Sequence, residues 1–155
     1  MPSIDIEDVV QQAVAQTFEN MAFIEAVPVK TPSADILANP CHWAKIAILE
    51  PDEGEMLLLV PSLMALEVAQ DILMPLDESA ITDADQNALD MFAEMLNTIA
   101  GVIMGDITPP DQTFRLGLPE TGLSEHLEMP SGGETFHFAI EGRTLALTLR
   151  GPAFY

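Results

Sequence analysis

The chain has 155 residues, 48% of them apolar, with 25 acidic residues against five basic ones and a formal charge of −20. The apolar share excludes a disordered acidic tail and is large enough for one domain with a buried core. The negative charge, spread along the whole chain, makes nucleic acid and anionic membrane surfaces poor partners.

Met1 to Asp8 already holds three acids, which does not suit a secretory signal. The strongly apolar stretches, such as Met56 to Met64, fall far short of the roughly 20 residues of a spanning helix. Cys41 is the only cysteine, so neither an intrachain disulfide nor a cysteine metal cage is available. A cytoplasmic location is expected.

A first amphipathic helix is predicted from about Asp5 to Met21, where Ile6, Val9, Val10, Ala13, Val14, Thr17 and Met21 recur at helical spacing. Phe23 to Val29 alternates and reads as a short strand ending at Pro28. Thr31 to Pro40, with two prolines, reads as a loop. Trp43 to Leu49 and Glu55 to Val60 are predicted strands joined by the turn Pro51-Asp52-Glu53-Gly54. Ser62 is a natural N-cap for a helix to about Met74, stopped by Pro75.

Thr82, with Asp85 three residues on, is expected to cap a long helix running to Ile107. Its apolar stripe is Ala88, Phe92, Met95, Leu96, Ile99 and Ile103. Phe114 to Leu118 is a candidate strand and Pro119 to Gly133 a loop. The end of the chain is a hairpin. Phe136, Phe138 and Ile140 alternate with polar or small residues, Glu141-Gly142 turns, and Leu145, Leu147 and Leu149 alternate again. One face of it is wholly apolar and must be covered by helices. The expected fold is therefore α+β, an antiparallel sheet layered with amphipathic helices.

Three constellations carry little chemistry. Asp83, Asp85, Asn87 and Glu94 match positions of a calcium loop, but Ala88 stands where that loop needs glycine, and the helical stripe runs through the segment. His42, His126 and His137 lie far apart, with no metal-ligand spacing and no evident nucleophile, base and orienter together. His137 belongs on the outer face of the hairpin. Met91, Met95 and Met104 are read as core filling.

The fourth constellation is different. Glu94, Asn97, Asp90, Gly101 and Gly105 cluster on the side of the long helix opposite its apolar stripe. A glycine inside a helix costs about 1 kcal/mol relative to alanine, so two of them beside a carboxylate and an amide call for close approach by another molecule. An amide both donates and accepts, and from a rigid helix it can hold a water in line with phosphorus, as a glutamine does in small GTPases. A carboxylate one turn away can pair with a lysine on the phosphorylated partner. If that partner brings its own magnesium, positioning is most of what remains to be supplied.

The run Glu94-Met95-Leu96-Asn97-Thr98-Ile99-Ala100-Gly101 resembles the E-x-x-N helix, with its following Ala-Gly, of the CheX/CheC family of chemotaxis phosphatases, and is closest to CheX. The order of elements around it supports the resemblance. It implies a CheC-like fold and hydrolysis of the aspartyl phosphate of a response-regulator receiver such as CheY. Asn97 would orient the attacking water and Glu94 would contact the receiver, with docking over Asp90, Thr98, Gly101 and Gly105. It also implies no metal site or cofactor of the chain's own, magnesium held by the receiver, and a homodimer. CheC-type members carry two such motifs, but Gln16-Thr17-Phe18-Glu19-Asn20 lacks the spacing, so one site per chain is expected. Receivers are usually acidic, so a chain at −20 should meet one slowly at low salt. The alternatives are a non-catalytic module of the same fold, binding a regulator or flagellar-switch component through the same face, and an acidic structural protein with that face buried in a dimer contact.

Overall fold

The structure is a computed structural model that describes residues 5–30, 40–73, 84–125 and 132–155. The first helix, α1 (Ile6–Ala22), starts where the Asp5 carboxylate accepts from the Glu7 amide at 3.0 Å. It ends at Phe23, whose backbone is left-handed at φ 56° and whose amide donates to the Glu19 carbonyl. Phe23 therefore caps the helix instead of opening a strand. The alternation after it does bury Ile24 and Ala26, but ladder pairing begins only at β1 (Val27–Val29).

The strands β2 (Cys41–Glu50) and β3 (Gly54–Pro61) pair antiparallel over eight residues, and α2 (Ser62–Leu73) follows directly. The long helix is α3 (Ala84–Ile107). The expected helix stop at Pro75, the cap at Thr82, the Asp83 carboxylate, His126 and nearly all of the Thr31 to Pro40 loop lie outside the described residues. The unbroken course of α3 puts Asp85, Asn87 and Glu94 within one regular helix, which a calcium loop cannot be.

Two further strands, β4 (Arg115–Leu116) and β5 (Glu120–Ser124), run along the outer edge of β2. The span from Pro119 was expected to be loop, yet residues 120–124 pair with Lys45 back to Cys41. An edge strand has no core of its own to fill, so β5 lacks the apolar alternation that marks a strand in sequence. Pro119, with no amide to donate, separates it from β4. Opposite Trp43 stands Gly122, against which the indole packs; a Cβ there would come within 2.4 Å of the ring.

The terminal hairpin is β6 (Glu134–Ile140) and β7 (Arg143–Arg150). Glu141 and Gly142 both have positive φ, 50° and 83°, as a two-residue turn between right-twisted strands requires. Among the described residues the antiparallel sheet has seven strands in the order β1-β6-β7-β3-β2-β4, with β5 also on β2. Register lines up Ala44, Leu58, Leu147 and Phe136 across four strands, all on the face that the helices cover.

On that face α3 packs against β2, α1 and α2. Ala88, Phe92, Met95, Leu96, Ile99 and Ile103 are all buried there, as are Met91 and Met104. By length and apolar content α3 could cross a membrane, but its apolar stripe is already spent inside this core. The opposite face of the sheet carries a small second cluster of Cys41, Leu59 and Ala146 with Trp43 and Leu57 against it. Burial pushes the Cys41 thiol up from its ordinary range.

Candidate functional site on the long helix

Glu94 and Asn97 are exposed, and the residues between them, Met95 and Leu96, are buried. The E-x-x-N tetrapeptide thus divides cleanly, its two apolar members anchoring the two polar ones. Three residues apart on a helix, the side chains diverge by only about 60° and sit one turn apart. Asp90 and Thr98 are exposed on the same face, Gly105 is exposed and Gly101 partly so. The structure therefore brings together all six residues that the sequence singled out.

Local bonds hold this face in order. The Thr98 hydroxyl donates to the Glu94 carbonyl at 3.0 Å, and the Gln86 amide donates to the Asp90 carboxylate at 2.8 Å. At Gly101 and Gly105 an added Cβ would meet nothing within 4 Å. Among the described residues no neighbour requires glycine at either position, so the helix-propensity loss there is not compensated by them. Beyond Gly105 the surface dips into an open cleft of about 380 Å³, lined by Thr108, Pro109, Pro110 and Phe114 among others.

The electrostatics of the face are purely negative. Helix α3 has no basic residue. Four of the five basic side chains lie against carboxylates elsewhere on the chain: Lys45 with Glu120 at 3.4 Å, Arg115 with Glu50 at 3.8 Å, Arg143 with Glu67 at 3.0 Å, and Arg150 with Glu55. The fifth, Lys30, is exposed after β1. A partner must therefore bring the positive charge. Among the described residues no group of three or more His, Cys, Asp or Glu side chains converges as a metal site would require.

The histidines are where the sequence reading fell short. His42, at the start of β2, is 1% exposed and bonds on both sides: Nδ1 lies 2.9 Å from Ser62 Oγ and Nε2 lies 3.0 Å from Asp85 Oδ1. Ser62 was expected only as a helix cap, and Asp85 as half of a capping box and as a member of the discounted calcium-loop pattern. Their separations of 20 and 43 residues from His42 gave no signal, because sheet and helix packing alone bring them together. A carboxylate only accepts, so Nε2 carries a proton and donates to Asp85; in that tautomer Nδ1 accepts from the Ser62 hydroxyl. His137 is on the outer face of the hairpin, its Nδ1 buried without a hydrogen-bond partner, and desolvation lowers its pKa from the usual 6.5.

An antiparallel sheet with its helices on one face, the longest of them presenting an exposed E-x-x-N, describes the architecture of CheC-like proteins. The sequence model of the chemotaxis phosphatase CheX matches residues 44–141, and the chain belongs to that family. None of the curated proteins matches it. Among solved structures, the chemotaxis protein CheX from Vibrio vulnificus superposes with a TM-score of 0.74 at 16% identity, over 95% of this chain and 99% of that one. A CheC-like superfamily protein from Shewanella sp. PV-4 gives 0.71 at 18% identity, over 96% and 97%. The Borrelia burgdorferi CheX–CheY–BeF3–Mg2+ complex gives 0.66 at 16% identity, over 96% and 99%.

Proposed function

We propose that this protein hydrolyses the aspartyl phosphate of a CheY-like receiver, with Asn97 orienting the attacking water and Glu94 contacting the receiver. The observation that carries the reading is the exposed Glu94–Asn97 pair, one turn apart on a helix whose opposite stripe is locked in the core. The family match and the CheX–CheY complex of a structural relative support the choice of reaction and partner.

In this reading the Asn97 amide oxygen accepts a hydrogen bond from water and its nitrogen donates toward a phosphoryl oxygen. The water attacks phosphorus in line as the bond to the aspartyl oxygen breaks, and phosphate and a free carboxylate result. Glu94 pairs with a receiver lysine and fixes the docking, while Asp90, Thr98, Gly101 and Gly105 form the surface on which the receiver rests. Magnesium comes with the receiver. The protein acts in the cytoplasm as a homodimer.

The test is phosphate release from a phosphorylated receiver. Wild-type protein accelerates it, and Asn97→Ala loses about 100-fold of that acceleration, the usual scale for a misplaced reactant. Equal acceleration by the variant would remove Asn97 from the mechanism. Binding of the receiver without any phosphate loss by the wild type would leave a non-catalytic module of the same fold.

A further inference from the structure

The Ser62–His42–Asp85 chain of hydrogen bonds lies outside the E-x-x-N face, and the receiver reaction uses none of its members. It joins three elements: Ser62 stands where β3 passes into α2, His42 at the start of β2, and Asp85 in the first turn of α3. A hydroxyl, an imidazole and a carboxylate, bonded in that order with the ring proton on the carboxylate side, is the arrangement that activates a serine. We propose that Ser62 is the nucleophile of a second, esterase-type site, with His42 as its general base and Asp85 as the residue that positions and polarises His42.

Three further features fit. The His42 ring is 1% exposed and so shielded from bulk water, while Ser62 is only half-buried and the Asp85 side chain is 59% exposed. Ser62 is thus partly open to solvent, while its base is not. Ser62 also opens a helix of 12 residues. Its own amide donates to the Pro40 carbonyl at 2.9 Å, but the amides of Leu63 and Met64 have no helical carbonyl one turn back. They lie on the side where the helix dipole favours negative charge, and the amide after the nucleophile is a usual oxyanion donor.

The substrate class follows from the surroundings. A chain at −20 disfavours anionic substrates, and Leu63, 70% exposed beside the nucleophile, offers an apolar contact. A small neutral carboxylic ester with a short acyl chain fits both. Ser62 Oγ bonds to the acyl carbon while its proton moves to His42 Nδ1; the ester C–O bond breaks and the leaving alkoxide takes that proton. Water then attacks the acyl-serine, delivers a proton through the same nitrogen, and releases the carboxylic acid with Ser62 restored.

p-Nitrophenyl acetate and butyrate are suitable probes, with stopped-flow release of nitrophenol and peptide mass spectrometry to locate the acyl group. The expected result is a burst of one equivalent per chain, with the acyl group on Ser62. Ser62→Ala should fall to the buffer rate. His42 is buried and its removal could unfold the chain, so Asp85, which is exposed, supplies the second variant. Asp85→Asn should lower kcat about 100-fold with KM and thermal midpoint unchanged, and Asp85→Glu should restore most of it. Acylation elsewhere, or a Ser62→Ala rate equal to wild type, overturns the proposal and leaves the trio as a clamp between three elements.

Discussion

His42 Nε2 lies 3.0 Å from Asp85 Oδ1, so a buried ring in the sheet holds the first turn of the helix whose third and fourth turns carry Glu94 and Asn97. Two other contacts, the Ser62 hydroxyl bond and the apolar packing of α3, act on the same corner of the molecule. Removing the ring leaves two polar partners and a void. His42→Ala should therefore lower unfolding free energy by about 3 kcal/mol, measurable in urea titration. A loss under 1 kcal/mol would mean that the bonds are not made in solution.

Glu94 should act on docking more than on chemistry. A charge-assisted contact is worth about 1.5–3 kcal/mol, so Glu94→Ala is expected to raise the KM for phosphorylated receiver by about 10- to 100-fold at little change in kcat. Steady-state phosphate release over a range of receiver concentrations separates the two parameters. A pure kcat effect would place Glu94 at the phosphorus instead.

The two helix glycines separate stability from function. With open space around them, Gly101→Ala and Gly105→Ala should each stabilise the chain by up to about 1 kcal/mol. A bulky residue such as Gly101→Leu should leave the fold intact and block receiver dephosphorylation. Full activity in that variant would show that nothing approaches the helix there.

Because four of five basic groups are already paired to the chain's own carboxylates, nothing on this surface offsets an acidic receiver. The kcat/KM should therefore rise between low and moderate ionic strength as repulsion is screened. A monotonic fall with salt would indicate a receiver with a basic docking face.

His137 links stability to pH. Its folded-state pKa lies below the ordinary 6.5 because burial disfavours the imidazolium, so the unfolded chain binds the proton first. The stabilising contribution is present above 6.5 and is lost as pH falls from there through the depressed folded value. His137→Gln should flatten that part of the stability curve, as followed by thermal melts at a series of pH values.

The legible parts of this molecule were those where period and burial coincide. The α3 stripe, the terminal hairpin with its Glu141-Gly142 turn, and the six-residue face opposite the stripe all follow from spacing, because each element buries one side and turns the other toward water. What escaped was set by tertiary pairing. The strand at residues 120–124 exists because the β2 edge is there to receive it, and its own residues carry no alternation. Phe23 is a left-handed cap, a backbone choice that an exposed phenylalanine does not advertise. The bonds of His42 to Ser62 and Asp85 span distances in sequence that no local pattern encodes.

The packing of Trp43 on Gly122 makes the only tryptophan a resident optical gauge. Because that half-buried ring lies against Gly122 at the rim of the sheet, peeling the outermost ribbon away would wet the indole further and shift its emission to the red. Fluorescence of the unlabelled protein can therefore follow fraying at this border while a guest docks on the neighbouring rod.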